Sequence, residues 1–74
     1  MNYIEASQRA YLKQQGLEYT EENVLDYGLS DDLKLLAETE KQFIVLHGNA
    51  DTPKFCQFLN VVTKDGLNME TIEL

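Results

Sequence analysis

The apolar positions of this chain fall into two regimes, helical spacing up to about residue 40 and short apolar runs from Phe43 onward. In the first, Tyr3, Ala6, Ala10 and Tyr11 lie along one side of a helix predicted from about Tyr3 to Gln15. Asn2 with Glu5 three residues later gives a capping-box-like start. Gly16 suits the left-handed residue that ends a helix, with Leu17 folding back towards Leu12. Thr20 caps a short second helix, with Glu21 and Glu22 in its first turn, Val24, Leu25 and Tyr27 as its apolar residues and Gly28 as its stop. Ser30, Asp31 and Asp32 repeat the pattern. Leu33, Leu35, Leu36 and Ala37 then predict a third helix to about Glu40, in which Glu38 lies one turn beyond Lys34.

In the second regime, Gln42 to His47 is almost wholly apolar, bounded by Gly48-Asn49 and too brief for a buried helix, so it predicts a strand. The next segment is two-sided. Phe55, Phe58, Leu59 and Val62 follow Thr52-Pro53 at i, i+3, i+4 and i+7, which would place a helix inside a β-α-β unit. The same stretch is rich in Phe, Val and Thr, which favour strands, and Thr63-Lys64-Asp65-Gly66 suits a type I hairpin turn with a glycine bulge. A lone pair of parallel strands makes an unusual small domain.

The expected fold is therefore α+β in one domain over residues 1–74. About three N-terminal helices pack on a three-stranded antiparallel meander closed by Leu67 to Leu74, with β-α-β as the alternative. Residues 1–40 form the helical, acidic half and residues 41–74 the β-rich half. The middle strand would present Phe55, Leu59 and Val61 on one face and Cys56, Phe58 and Val62 on the other. Short helices cover one face of a sheet, so self-association or partner docking is expected on the other face or along an open edge.

Composition narrows the function classes. A chain of 74 residues buries only about 60% of its unfolded surface, which leaves little room for an enclosed active-site cavity. The single cysteine, Cys56, has no intramolecular disulfide partner, so a reducing cytosol is expected. The polar N-terminal stretch has no signal-peptide core, and no apolar run approaches the roughly 18 residues of a membrane span. The net charge of −7 is concentrated in residues 18–40, where eight carboxylates face Lys34 alone. Direct contact with nucleic acid or an anionic membrane is disfavoured, and a basic protein partner is favoured.

Helix caps account for Glu21, Glu22, Asp31 and Asp32, since carboxylates are stabilising near a helix N-terminus. The candidate partner-binding set is Glu18, Glu22, Asp26, Asp31, Glu38 and Glu40. Candidate chemistry is sparse. His47, Asp51 and Cys56 are the residues that resemble a base, an orienting acid and a nucleophile; a hairpin pairing His47 with Lys54 would put His47 and Cys56 on one sheet face, and a one-residue slip would separate them. The loop from Gly48 to Pro53 lacks the P-loop lysine and the dinucleotide glycine spacing, and no metal-ligand spacing is present, so no cofactor or metal is expected. Thr20 to Lys41 has a helix-turn-helix cadence with Gly28-Leu29-Ser30 as its turn, but its second helix would begin with Asp31-Asp32, which duplex phosphates repel.

The function these features favour is a small acidic protein-interaction module, an adaptor or inhibitor of a larger basic partner. That partner includes a nucleic-acid-handling protein whose groove the carboxylates imitate, and a homodimer through the sheet is a further expectation. Catalysis is not expected. The alternatives are a helix-turn-helix transcriptional regulator and a small-ligand binder or enzyme at the His47 to Cys56 end.

Overall fold

Two helices open the chain, and both end by the same device. The computed structural model describes residues 1–29, 33–48 and 58–73. Helix α1 spans Tyr3–Gln14. Asn2 Oδ1 accepts the Glu5 N–H at 2.8 Å, while the Glu5 carboxylate pairs with Arg9 at 3.2 Å rather than returning to Asn2, so half of the expected capping box forms. At the other end Gly16 takes φ 76°, Leu17 N–H donates to Leu12 O at 2.9 Å, and Gly16 N–H donates to Lys13 O at 3.1 Å. This is the Schellman pattern.

Helix α2, Glu21–Asp26, starts with Thr20 Oγ1 accepting the Asn23 N–H at 3.1 Å. It closes identically: Gly28 lies at φ 64°, Leu29 N–H donates to Val24 O at 2.9 Å and Gly28 N–H donates to Leu25 O at 3.1 Å. Each motif folds a leucine back onto its own helix. As a result Leu12, Val24 and Leu29 form one core cluster, with Tyr11 and Leu17 packed against it.

The third helix is replaced by a strand. β1 runs Lys34–Glu38, β2 Gln42–His47, β3 Phe58–Thr63 and β4 Asn68–Glu73, in one antiparallel sheet of order β1-β2-β3-β4. Among the described residues the fold is thus α+β with two N-terminal helices and four strands. The expectation of three helices on three strands is corrected, and so is the β-α-β alternative, because Phe58–Thr63 pairs directly and antiparallel with β2.

The residues of Lys34–Glu38 favour helix intrinsically. What decides against it is a pairing partner: β2 offers them a free edge, and Leu33 and Leu35, two apart, pack on the main core. Thr39 fixes the connection, its Oγ1 accepting from Gln42 N–H at 3.0 Å and its N–H donating to Gln42 O at 2.9 Å. The second hairpin forms as its sequence predicts, with Gly66 N–H donating to Thr63 O at 3.0 Å and Thr63 N–H to Leu67 O at 2.8 Å. The Ser30 cap with Asp31 and Asp32, and the segment from Asn49 to Gln57, lie outside the described residues.

α1 lies across one face of the sheet. Ala6 and Ala10, one turn apart, let the helix approach closely, and they pack on Phe43, Val45 and Val62 with Tyr3 at the margin. α2 packs on α1, forming an outer layer on the same side.

Adding a Cβ at Gly28 meets no atom within 4 Å, so Gly28→Ala tests the left-handed closure without a steric clash. The expected cost is about 1 kcal/mol, read as a lower urea midpoint with an unchanged slope. An unchanged midpoint would contradict the role given to this turn.

Candidate functional site

The face of the sheet turned away from α1 follows from strand alternation. In β2, Phe43, Val45 and His47 are buried beneath the helix, so Gln42, Ile44 and Leu46 point the other way. The pairing register lines up two rows of residues across this second face: Lys34, Leu46, Leu59 and Ile72, then Ala37, Ile44, Val61 and Glu70. Each row is apolar except at one end. Ile44, Leu46, Leu59 and Val61 are half-buried, no described helix lies against them, and Ile72 is 40% exposed.

The edges of the sheet differ from its face. β1 carries a bulge between Leu35 and Ala37, and β4 has one more residue than β3 where Val61 pairs with Glu70 and Val62 with Asn68. The residues inserted, Leu36 and Met69, are 49% and 56% exposed. Met69 Sδ sits 2.8 Å from Gln42 Nε2, which places it on the open side. Bulges on both outer strands disrupt edge-to-edge pairing.

The expected acidic set does not assemble as one surface on consecutive helices. Glu22 and Asp26 lie exposed on α2, and Glu18 precedes it with its carbonyl accepting from Asn23 Nδ2 at 2.8 Å. Glu38 ends β1 and pairs with Lys64 Nζ at 2.6 Å, not with Lys34, while Glu40 is exposed in the β1–β2 turn. Asp31 lies outside the described residues. The helix-turn-helix reading falls with the third helix, since its reading element would be β1.

His47 points into the core. It pairs with Phe58, not Lys54, and its ring stacks on that of Phe58 at 4.5 Å and 6°. Phe58 stacks in turn on Tyr11 at 5.3 Å, and Tyr11 meets Tyr27 at 6.1 Å. Ser7 Oγ, also buried, hydrogen-bonds to His47 Nε2. Burial pushes the His47 pKa down to about 4, so the ring is neutral near pH 7. Burial, and then the neighbouring Tyr27, raise the Tyr11 pKa.

A serine beside a histidine has the composition of a nucleophile and base, but both are closed off from solvent and the ring is a weak base. The pair acts as a core hydrogen bond. Asp51 and Cys56, the other members of the candidate set, lie outside the described residues.

Sequence reasoning passed over Ser7, although it is visible as a polar residue one turn after Tyr3 and next to Ala6 on the inward side of α1. It also passed over Asn60, fully buried on β3, whose Oδ1 accepts from Thr71 Oγ1 at 2.8 Å. Asn68 Nδ2 donates to Gln14 Oε1 at 3.0 Å, tying the end of α1 to β4.

Among the described residues no three His, Cys, Asp or Glu side chains cluster as metal ligands, and no helix is long and apolar enough to cross a membrane. No family model, curated protein or solved structure matches the chain.

The buried histidine predicts a pH dependence. Its pKa falls from 6.5 unfolded to about 4 folded, so between these values the unfolded chain binds the extra proton. Stability is fully present above pH 6.5 and is lost as pH falls towards 4, by roughly 3 kcal/mol at most. Urea midpoints for His47→Gln are expected to fall less steeply across this window than those of the parent chain. Equal slopes would show that His47 does not titrate as a buried ring.

Proposed function

We propose that this chain is a protein-interaction module, an adaptor or inhibitor that works by docking, and that the open face of the sheet is its docking surface. The observation that carries the reading is the eight-residue face with Ile44, Leu46, Leu59 and Val61 at its centre, Ile72 on its β4 edge and no described helix lying against it. Contiguous apolar surface of this kind on a small domain is characteristic of protein contacts. Its polar ends, Lys34 and Glu70, supply a rim.

The acidic side chains support the reading in a different way. Glu18, Glu22 and Asp26 belong to the helical layer, behind the sheet as seen from the open face. They are not rim contacts. They act through the long-range field, drawing in a basic partner and raising its association rate. A groove that normally holds nucleic acid is one such basic surface.

Two sets of variants separate these roles. Leu59→Ser with Ile72→Ser is expected to abolish capture of partner proteins from native extract while keeping the circular dichroism spectrum. Glu22→Lys with Asp26→Lys is expected to slow association severalfold and flatten its salt dependence while leaving the dissociation rate unchanged. Undiminished capture by the folded sheet-face variant would refute the docking surface.

A further inference from the structure

We infer that the open face docks on the same face of a second copy of this chain, forming a two-sheet sandwich with the helical layers outermost. The inference rests on the open face being the docking surface and names its occupant. The first ground is charge. The two charged residues of the face stand at diagonally opposite corners, Lys34 on β1 in the row of Leu46, Leu59 and Ile72, and Glu70 on β4 in the row of Ala37, Ile44 and Val61. They are of opposite sign and on opposite outer strands.

A two-fold axis parallel to the strands lays β1 of one copy over β4 of the other and β2 over β3. Lys34 then lies one row, about 7 Å along the strand, from Glu70 of the second copy, within the reach of a lysine side chain. Symmetry makes the contact twice. Between the two ion pairs Ile44, Leu46, Leu59 and Val61 of each copy face their counterparts. A surface that matches itself under a two-fold rotation is what an isologous dimer requires.

The second ground is the placement of the remaining charge. The face itself is neutral, Lys34 balancing Glu70, while Glu18, Glu21, Glu22 and Asp26 belong to the helical side. These four carboxylates therefore lie away from the contact. A neutral face meets its own copy without like-charge repulsion, while the carboxylates on the helical side stay free to act through the long-range field. The third ground is the edges: bulges in both outer strands obstruct association by sheet extension, so the face remains as the route to self-association. Four strands about 4.8 Å apart and five or six residues long give a face roughly 15 by 20 Å, about 300 Å² per copy and below the standard size of specific interfaces, so a weak dimer, no tighter than micromolar, is expected rather than an obligate one.

Sedimentation equilibrium of the full chain tests this, from about 1 μM to about 1 mM at about 0.15 M salt. A monomer–dimer equilibrium with a micromolar constant is expected. Lys34→Glu and Glu70→Lys alter exposed side chains. Each alone is expected to weaken the dimer about tenfold, and the two together to restore it to within about twofold. Ile44→Glu, at the centre, is expected to abolish it; should that variant unfold, the charge pair still decides.

A wild-type chain that stays monomeric at the highest concentration overturns the inference, as do single reversals without effect or a double reversal that fails to restore the dimer. The docking surface itself is refuted by a different result, undiminished partner capture by the sheet-face variant. A monomer whose sheet-face variants lose a partner protein therefore overturns self-association while upholding docking to a different protein.

Discussion

α1 meets the sheet through Ala6, Ser7 and Ala10, all buried, and the rest of the molecule depends on that contact. Small side chains bring the helix down onto Phe43, Val45 and Val62, so a chain of this length gains one dry interface. Among the described residues there is no second long helix with which to make another. α2 is six residues long and is consumed in holding α1, through the leucines that the two Schellman turns fold back into a shared cluster. Among the described residues, one helical layer and a sheet with two apolar faces leave one face without a helix against it, a consequence of that shortage rather than an added feature.

The same contact accounts for one buried polar pair, Ser7 against His47, while the packing of α2 on α1 brings Gln8 against Leu29, whose carbonyl accepts from Gln8 Nε2 at 3.0 Å. Each bond satisfies a group that would otherwise be costly in a dry interface. His47, Phe58 and Tyr11 stack in a column that Tyr27 meets at a tilt, running from the sheet to the end of α2. His47 is thereby given over to packing: its ring is buried and neutral near pH 7.

Much of this was legible in local sequence. Asn2, Gly16, Thr20 and Gly28 set the helix ends because caps and left-handed turns are decided within five or six residues, and the Thr63 to Gly66 turn specified its hairpin for the same reason. Residues 34–38 were illegible because Lys, Leu, Ala and Glu favour helix, while the influence that makes them a strand, the edge of β2, comes from outside the segment. Losing that helix also dispersed the expected acidic surface, since Glu38 and Glu40 belong to a strand and a turn. The excess of apolar strand surface over helical cover was readable from counting faces, but the Lys34 and Glu70 diagonal was not, because it exists only once β1 is a strand and the register is known.

Solvent exposure of the methyl groups of Ile44, Leu46, Leu59 and Val61, followed by paramagnetic relaxation from a soluble probe as concentration is raised, tests the central claim most directly. These methyls are expected to be accessible in the dilute chain and to become shielded as copies associate, while those of Val45 and Val62 under α1 stay protected throughout. Methyls already shielded at the lowest concentration, or equally accessible at the highest, would contradict an open face that docks a second copy.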